Sequence, residues 1–96
     1  MNASICAAIA RRQVVEFVYS GTLRTVEPYT HGYSSAGNEV FRGYQTGGLS
    51  KSGRQQGWRL FRVDEISALR ATGETFQPNR SDYNPNDRTI DVHCSV

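Results

Sequence analysis

Residues 58–63, Trp58-Arg59-Leu60-Phe61-Arg62-Val63, read as a β-strand with an arginine on each of its faces. Successive side chains of a strand point to opposite sides, so Trp58, Leu60 and Arg62 share one face and Arg59, Phe61 and Val63 the other. A strand half-buried in an antiparallel sheet gathers its charges on one side. Two apolar groups and one cation on each side therefore call for cover on both.

The neighbouring segments follow the same two-residue period. Val14–Tyr19 is β-branched and aromatic and ends at Ser20-Gly21, which marks a turn. Strands are expected near residues 14–19, 23–29, 39–46, 58–63 and 66–71. Pro28 has no ladder donor and is expected at a strand end or an edge. Residues 4–12 form a short helix, with Ser4 as its cap and Ile5 and Ile9 on one face. The helix is too short to stand alone and must dock on the strands. Residues 77–88, rich in Pro, Asn and Asp, are irregular. Ile90, Val92, Cys94 and Val96 alternate with polar residues in a last strand over 89–96. The expected fold is mainly β: a small SH3-like or Sm-like antiparallel β-barrel with one N-terminal helix. Its core is expected to contain Ile5, Ile9, Val15, Phe17, Val26, Phe61, Val63 and Leu69.

Ninety-six residues make one domain with one modest core. The apolar fraction of 38% is low, and ten aromatic residues offset it in part. No stretch approaches the ~20 apolar residues of a membrane helix. The first residues carry no basic region ahead of their short apolar run, so no secretory signal is expected and the cytoplasm is the expected compartment. On that basis Cys6 and Cys94 are expected as free thiols.

The net charge of +2 conceals a gradient. Residues 40–63 hold five bases (Arg42, Lys51, Arg54, Arg59 and Arg62) and no acid, whereas residues 64–96 hold three bases and six acids. Ten of the eleven bases are arginine, whose planar fork suits phosphate and carboxylate and stacks on aromatic rings. GC-rich codon usage is the bland explanation of that bias.

Several motifs carry no chemistry. Gly48-x4-Gly53 has the glycine spacing of a phosphate-binding loop, but Arg54 and Gln55 follow it and then a strand, whereas the mechanism needs helix N-terminal amides. Asp91, His93 and Cys94 fall short of a metal site, because His93 and Cys94 point to opposite faces of a regular strand, and His31 and Cys6 lie far off in sequence. Cys6 with a distant histidine has no sequence support as a catalytic pair. No catalytic residue, metal ligand or cofactor is expected. What remains is a basic, aromatic region, Arg42, Tyr44, Gln45, Trp58, Arg59 and Arg62, suited to stacking and charge. The same residues also fit a plain core with arginines reaching out over it.

The motif order resembles a known family. A helix with "AAIARRQVVEFVY" is followed by Arg24 two residues before Val26-Glu27-Pro28. A strand ending in Gly43-Tyr44 comes next, then Arg59, Phe61, Arg62, Asp64 and Ile66 in an Arg-x-Phe-Arg-x-Asp-x-Ile run. Over residues 5–76 this is similar to the WYL domain of bacterial regulators. The name-giving triplet is absent (Glu39-Val40-Phe41 stands there), Glu65 replaces a second family arginine, and a stand-alone domain with no helix-turn-helix ahead of it is expected.

The resemblance implies a stand-alone ligand-sensing barrel, not an enzyme, linked to transcription regulation and phage defence. Its expected ligand is a nucleotide, an oligonucleotide or another anion, held by Arg24, Arg42, Tyr44, Trp58, Arg59 and Arg62. Expected partners are single-stranded nucleic acid, a regulator protein and a second copy of the chain. On this view one arginine of strand 58–63 lies at the barrel rim and the other on an outer, ligand-facing surface. The alternative is a protein-interaction or dimerisation barrel with an interface over Trp58 and Leu60.

Overall fold

A computed structural model describes residues 3–48 and 56–96. Helix α1 (Ala3–Ala10) is followed by strands β1 (Gln13–Tyr19), β2 (Thr22–Ser34), β3 (Glu39–Gly48) and β4 (Gly57–Arg62). A 3-10 turn (Val63–Glu65), β5 (Ser67–Thr75) and β6 (Ile90–Ser95) complete the chain. All pairings are antiparallel, in the order β4-β3-β2-β1-β5, with β6 also on β2. The mainly β architecture matches the sequence expectation.

Several boundaries differ from that expectation, and Ser4, expected as the helix cap, lies inside the helix. The helix ends at Ala10 instead of residue 12, because Arg12 takes a positive φ of 55° and turns the chain into β1. Strand β2 does not stop at Pro28 but runs on to Ser34. Its register against β3 slips between Pro28 and Thr30, which accommodates the missing proline donor as a bulge. Past that point β6 pairs with β2 along the edge that β1 occupies earlier. Lastly, β5 extends to Thr75, beyond the expected residue 71. The Ser20-Gly21 turn is as expected. Both residues have positive φ (52° and 77°), and Tyr19 pairs directly with Thr22.

Alternation along β1 buries Val14 and Val15 on opposite sides, and so builds two apolar clusters. Beneath α1, Ile5, Ala8 and Ile9 pack with Val15, Phe17, Val26, Phe41 and Phe61. The rings of Phe17, Phe41 and Phe61 lie 5.0–5.6 Å apart, two of the three pairs edge to face. Val63 and Leu69, expected in the core, are only partly buried at its margin, since one lies in the 3-10 turn and the other on the outer strand β5. The second cluster joins Val14, Tyr29 and Phe76 to Tyr44, Trp58, Tyr83 and Val96. Its cover comes from residues after β5.

The sheet curls. Tyr19 at the end of β1 lies 5.0 Å from the Phe61 ring on β4, three strands away in sheet order. Its hydroxyl accepts a hydrogen bond from the Arg62 backbone N–H at 3.1 Å. No ladder closes the sheet between β4 and β5 among the described residues.

The cysteines correct the sequence reading. Cys6 of α1 and Cys94 of β6 form a disulfide, with 5.9 Å between their Cα atoms. Docking α1 on β2 and β6 brings together two residues 88 positions apart, which no local pattern reveals. Free thiols were inferred from an expected cytoplasmic setting, and disulfides persist in oxidising surroundings. No helix among the described residues is long and apolar enough to cross a membrane.

Candidate anion-binding site

Arg24 and Arg59 share the inner side of the curled sheet. On β2, Arg24 is two residues before Val26, and on β4 Arg59 is two residues before Phe61; both apolar residues belong to the cluster under α1. Period-2 alternation therefore carries both arginines to the end of that cluster. Arg24 is only 4% exposed. Its Nε donates to Thr22 Oγ1 at 2.7 Å, Nη1 to the Gln45 side-chain oxygen at 3.2 Å, and Nη2 to the Tyr19 carbonyl at 3.3 Å. The guanidinium carbon lies 5.6 Å from the centre of the Tyr19 ring.

Each of those hydrogen-bond acceptors is neutral. Burial lowers the pKa of Arg24, the positive charge of Arg59 lowers it further, and Tyr19 opposes the shift. A guanidinium does not give up its proton in a protein, so the group remains a buried cation beside a second cation. Such a charge is costly without a counter-ion. Arg59 donates from Nη1 to the Trp58 carbonyl at 3.0 Å. Gly57 makes room for it: at φ 139° only glycine is comfortable, and a Cβ there would stand 3.0 Å from that nitrogen.

The remaining expected ligand residues lie elsewhere. Arg42, Tyr44, Trp58 and Arg62 alternate to the outer side, so the six residues do not form one surface. Arg42 pairs with Asp87 at 2.7 Å. The carboxyl of Asp87 is held below its usual range, first by hydrogen bonds from Thr89 and also by Arg42, against the opposing effect of burial. Arg62 is exposed and bridges to Asp64 at 2.9 Å and Glu65 at 3.4 Å.

Tyr44 and Trp58 are cross-strand neighbours with ring centres 5.5 Å apart. Their faces, expected to be open for stacking, are met by the chain itself. Arg80 stands 3.5 Å over Tyr44, and Tyr83 stacks on Trp58 at 5.9 Å. Residues 77–88 are thus a strap over this aromatic patch. Beneath it, the Tyr29 hydroxyl and Trp58 Nε1 are buried and have no hydrogen-bond partner among the described residues. Burial, and then Glu27, push the Tyr29 phenol pKa up, and the Arg80 backbone N–H opposes the shift.

The sequence alone singled out Arg24, Gln45 and Arg59 but not Thr22 and Tyr19. Gln45 alternates inward with Phe41 and Gly43 on β3. Arg80 and Tyr83 carried no periodic signal. Lys51 and Arg54 of the basic stretch, and most of the glycine loop, lie outside the described residues. A cleft of about 310 Å³ opens away from these arginines, between α1 and β5, beside Arg11 and Arg70. Comparison with family models, curated proteins and solved structures finds no match to this chain.

Proposed function

We propose that the chain is a small WYL-like β-barrel that binds a phosphate-bearing anion, a nucleotide or a short single strand, at Arg24 and Arg59. Arg24 carries the reading. It is a nearly buried guanidinium whose hydrogen-bond partners among the described residues are neutral, and a second guanidinium raises the local positive potential. A phosphate reaching this pair would bring negative charge to Arg24 through charge-assisted hydrogen bonds. The curl from Tyr19 to Phe61 and Arg62 supports the barrel. The order of motifs that resembles WYL domains supports a sensing module acting on a separate regulator.

The test is an equilibrium titration with common nucleotides and short single-stranded oligonucleotides at low and at physiological salt. Wild-type affinity is expected to fall as salt rises. Arg59→Ala is expected to weaken binding about tenfold or more, equivalent to one lost charge-assisted contact. Arg62→Ala and Arg42→Ala, on the other side of the sheet, are expected to change it much less. Absence of binding even at low salt overturns the proposal.

One observation favours the interaction reading. Leu60 is 41% exposed on β4, which ends the strand order. A concentration-dependent dimer in sedimentation, lost in Leu60→Lys, would make self-association the better account.

A further inference from the structure

The geometry points to a second site, independent of the arginines: on reduction of the disulfide, Cys6, Cys94 and His31 become the ligands of a zinc-class divalent ion. The Cys6 and Cys94 sulfurs and a His31 ring nitrogen all lie within 4.8 Å of one another. The Cys6 Sγ to His31 Nδ1 separation is 3.5 Å. Two ligands at about 2.3 Å (sulfur) and about 2.0–2.1 Å (nitrogen) from a tetrahedral zinc stand roughly 3.5 Å apart. That edge of the coordination polyhedron is already in place.

His31 is also prepared electronically. It is fully buried, and its Nε2 donates to Glu39 Oε2 at 2.7 Å. A carboxylate only accepts, so Nε2 carries a proton, and in the tautomer that binds a metal the lone pair of Nδ1 faces the sulfur. A carboxylate behind a histidine is the arrangement that orients metal-binding imidazoles. The bulge that sets His31 opposite Cys94, and Gly32 opposite Val92, brings His93 close as well, with its ring 5.5 Å from that of His31. Both cysteines are only partly buried, so a reductant and an ion have access.

The chemistry balances. A dithiol reductant supplies two electrons and two protons; the S–S bond breaks, both cysteines become thiols, and the reductant closes its own disulfide. Zinc binding then releases the two thiol protons to solvent as the two Zn–S bonds form, while Nδ1 contributes its lone pair. Three protein ligands leave one position for water. The disulfide and the metal are thus alternative staples between α1 and β6, and reducing conditions exchange one for the other.

Cobalt and zinc titrations of the full chain test this, before and after reduction with a phosphine. The reduced chain is expected to bind one Co(II), with tetrahedral visible bands and a thiolate charge-transfer band, and zinc should displace it. Zinc should raise the melting temperature of the reduced chain and leave the oxidised chain unchanged. Glu39→Gln is expected to weaken binding about 10–100-fold, and His31→Ala more. Equal binding by the oxidised chain, or by both variants, overturns the proposal. So does a reduced chain whose far-UV spectrum and melt zinc leaves unaltered, since metal held by an unfolded chain does not stabilise the fold.

Discussion

Arg80 stands over Tyr44 with its guanidinium carbon 3.5 Å from the ring centre, while Nε and Nη2 hold the two carboxylate oxygens of Glu27 at 2.9 and 3.3 Å. A residue of the irregular segment thus does to Tyr44 what a ligand was expected to do. The hydrogen bonds to Glu27 are the chief cause of the raised Arg80 pKa. Both side chains are mostly shielded, so the pair exceeds an open surface bridge.

A double-mutant cycle of Arg80→Ala and Glu27→Ala, read by urea denaturation, is expected to give a coupling of about 1 kcal/mol or more. A coupling below about 0.3 kcal/mol would class the pair with exposed, screened bridges. In the Arg80→Ala single variant the strap loses its hold on Tyr44, and protease cleavage within residues 77–88 should accelerate.

Phe61 meets Phe17, Tyr19 and Phe41 within 5.2 Å between ring centres and is almost fully buried. Phe61→Ala is expected to destabilise by ~3–5 kcal/mol. A melt within error of wild type would remove this ring from the core.

The Cys6–Cys94 link closes a loop of 88 positions. Loop-closure entropy puts its contribution at about 4–5 kcal/mol, an upper figure for such links. Cys6→Ser/Cys94→Ser should lower the denaturation midpoint accordingly with metal chelated. Wild type under reductant and chelator should match it. A midpoint unchanged in both would mean that α1 is held by packing alone.

The raised pKa of Tyr29 has a definite pH consequence. The folded value lies above the unfolded one, about 10. Its contribution is therefore complete below about pH 10 and is lost as pH rises through the folded value. Tyr29→Phe removes that pH dependence together with a hydroxyl that lacks a partner among the described residues. The variant is expected to be at least as stable as wild type at neutral pH and to lose less stability on alkaline titration. Parallel curves for the two proteins would rule this out.

Local periodicity determined much of this protein. Alternation in residues 14–19 and 58–63 specified which side chains leave each side of a strand, and Ser20-Gly21 specified a turn whose two positive φ angles need no distant partner. It also put Arg59 with Phe61 and Arg62 with Trp58, so the two arginines had to part. Only the tertiary structure decided what each then met. Arg59 came beside Arg24 because the sheet curls; Arg62 reached Asp64 and Glu65 because the chain tightens into a 3-10 turn. The cover on Tyr44 and Trp58 came from Arg80 and Tyr83, in a segment with no period to read. Cys6, His31 and Cys94 met because α1 and β6 both dock on β2. Side-chain direction is set by neighbouring backbone angles and is written locally, whereas partners far apart in sequence are chosen by how the whole sheet bends and what must be covered.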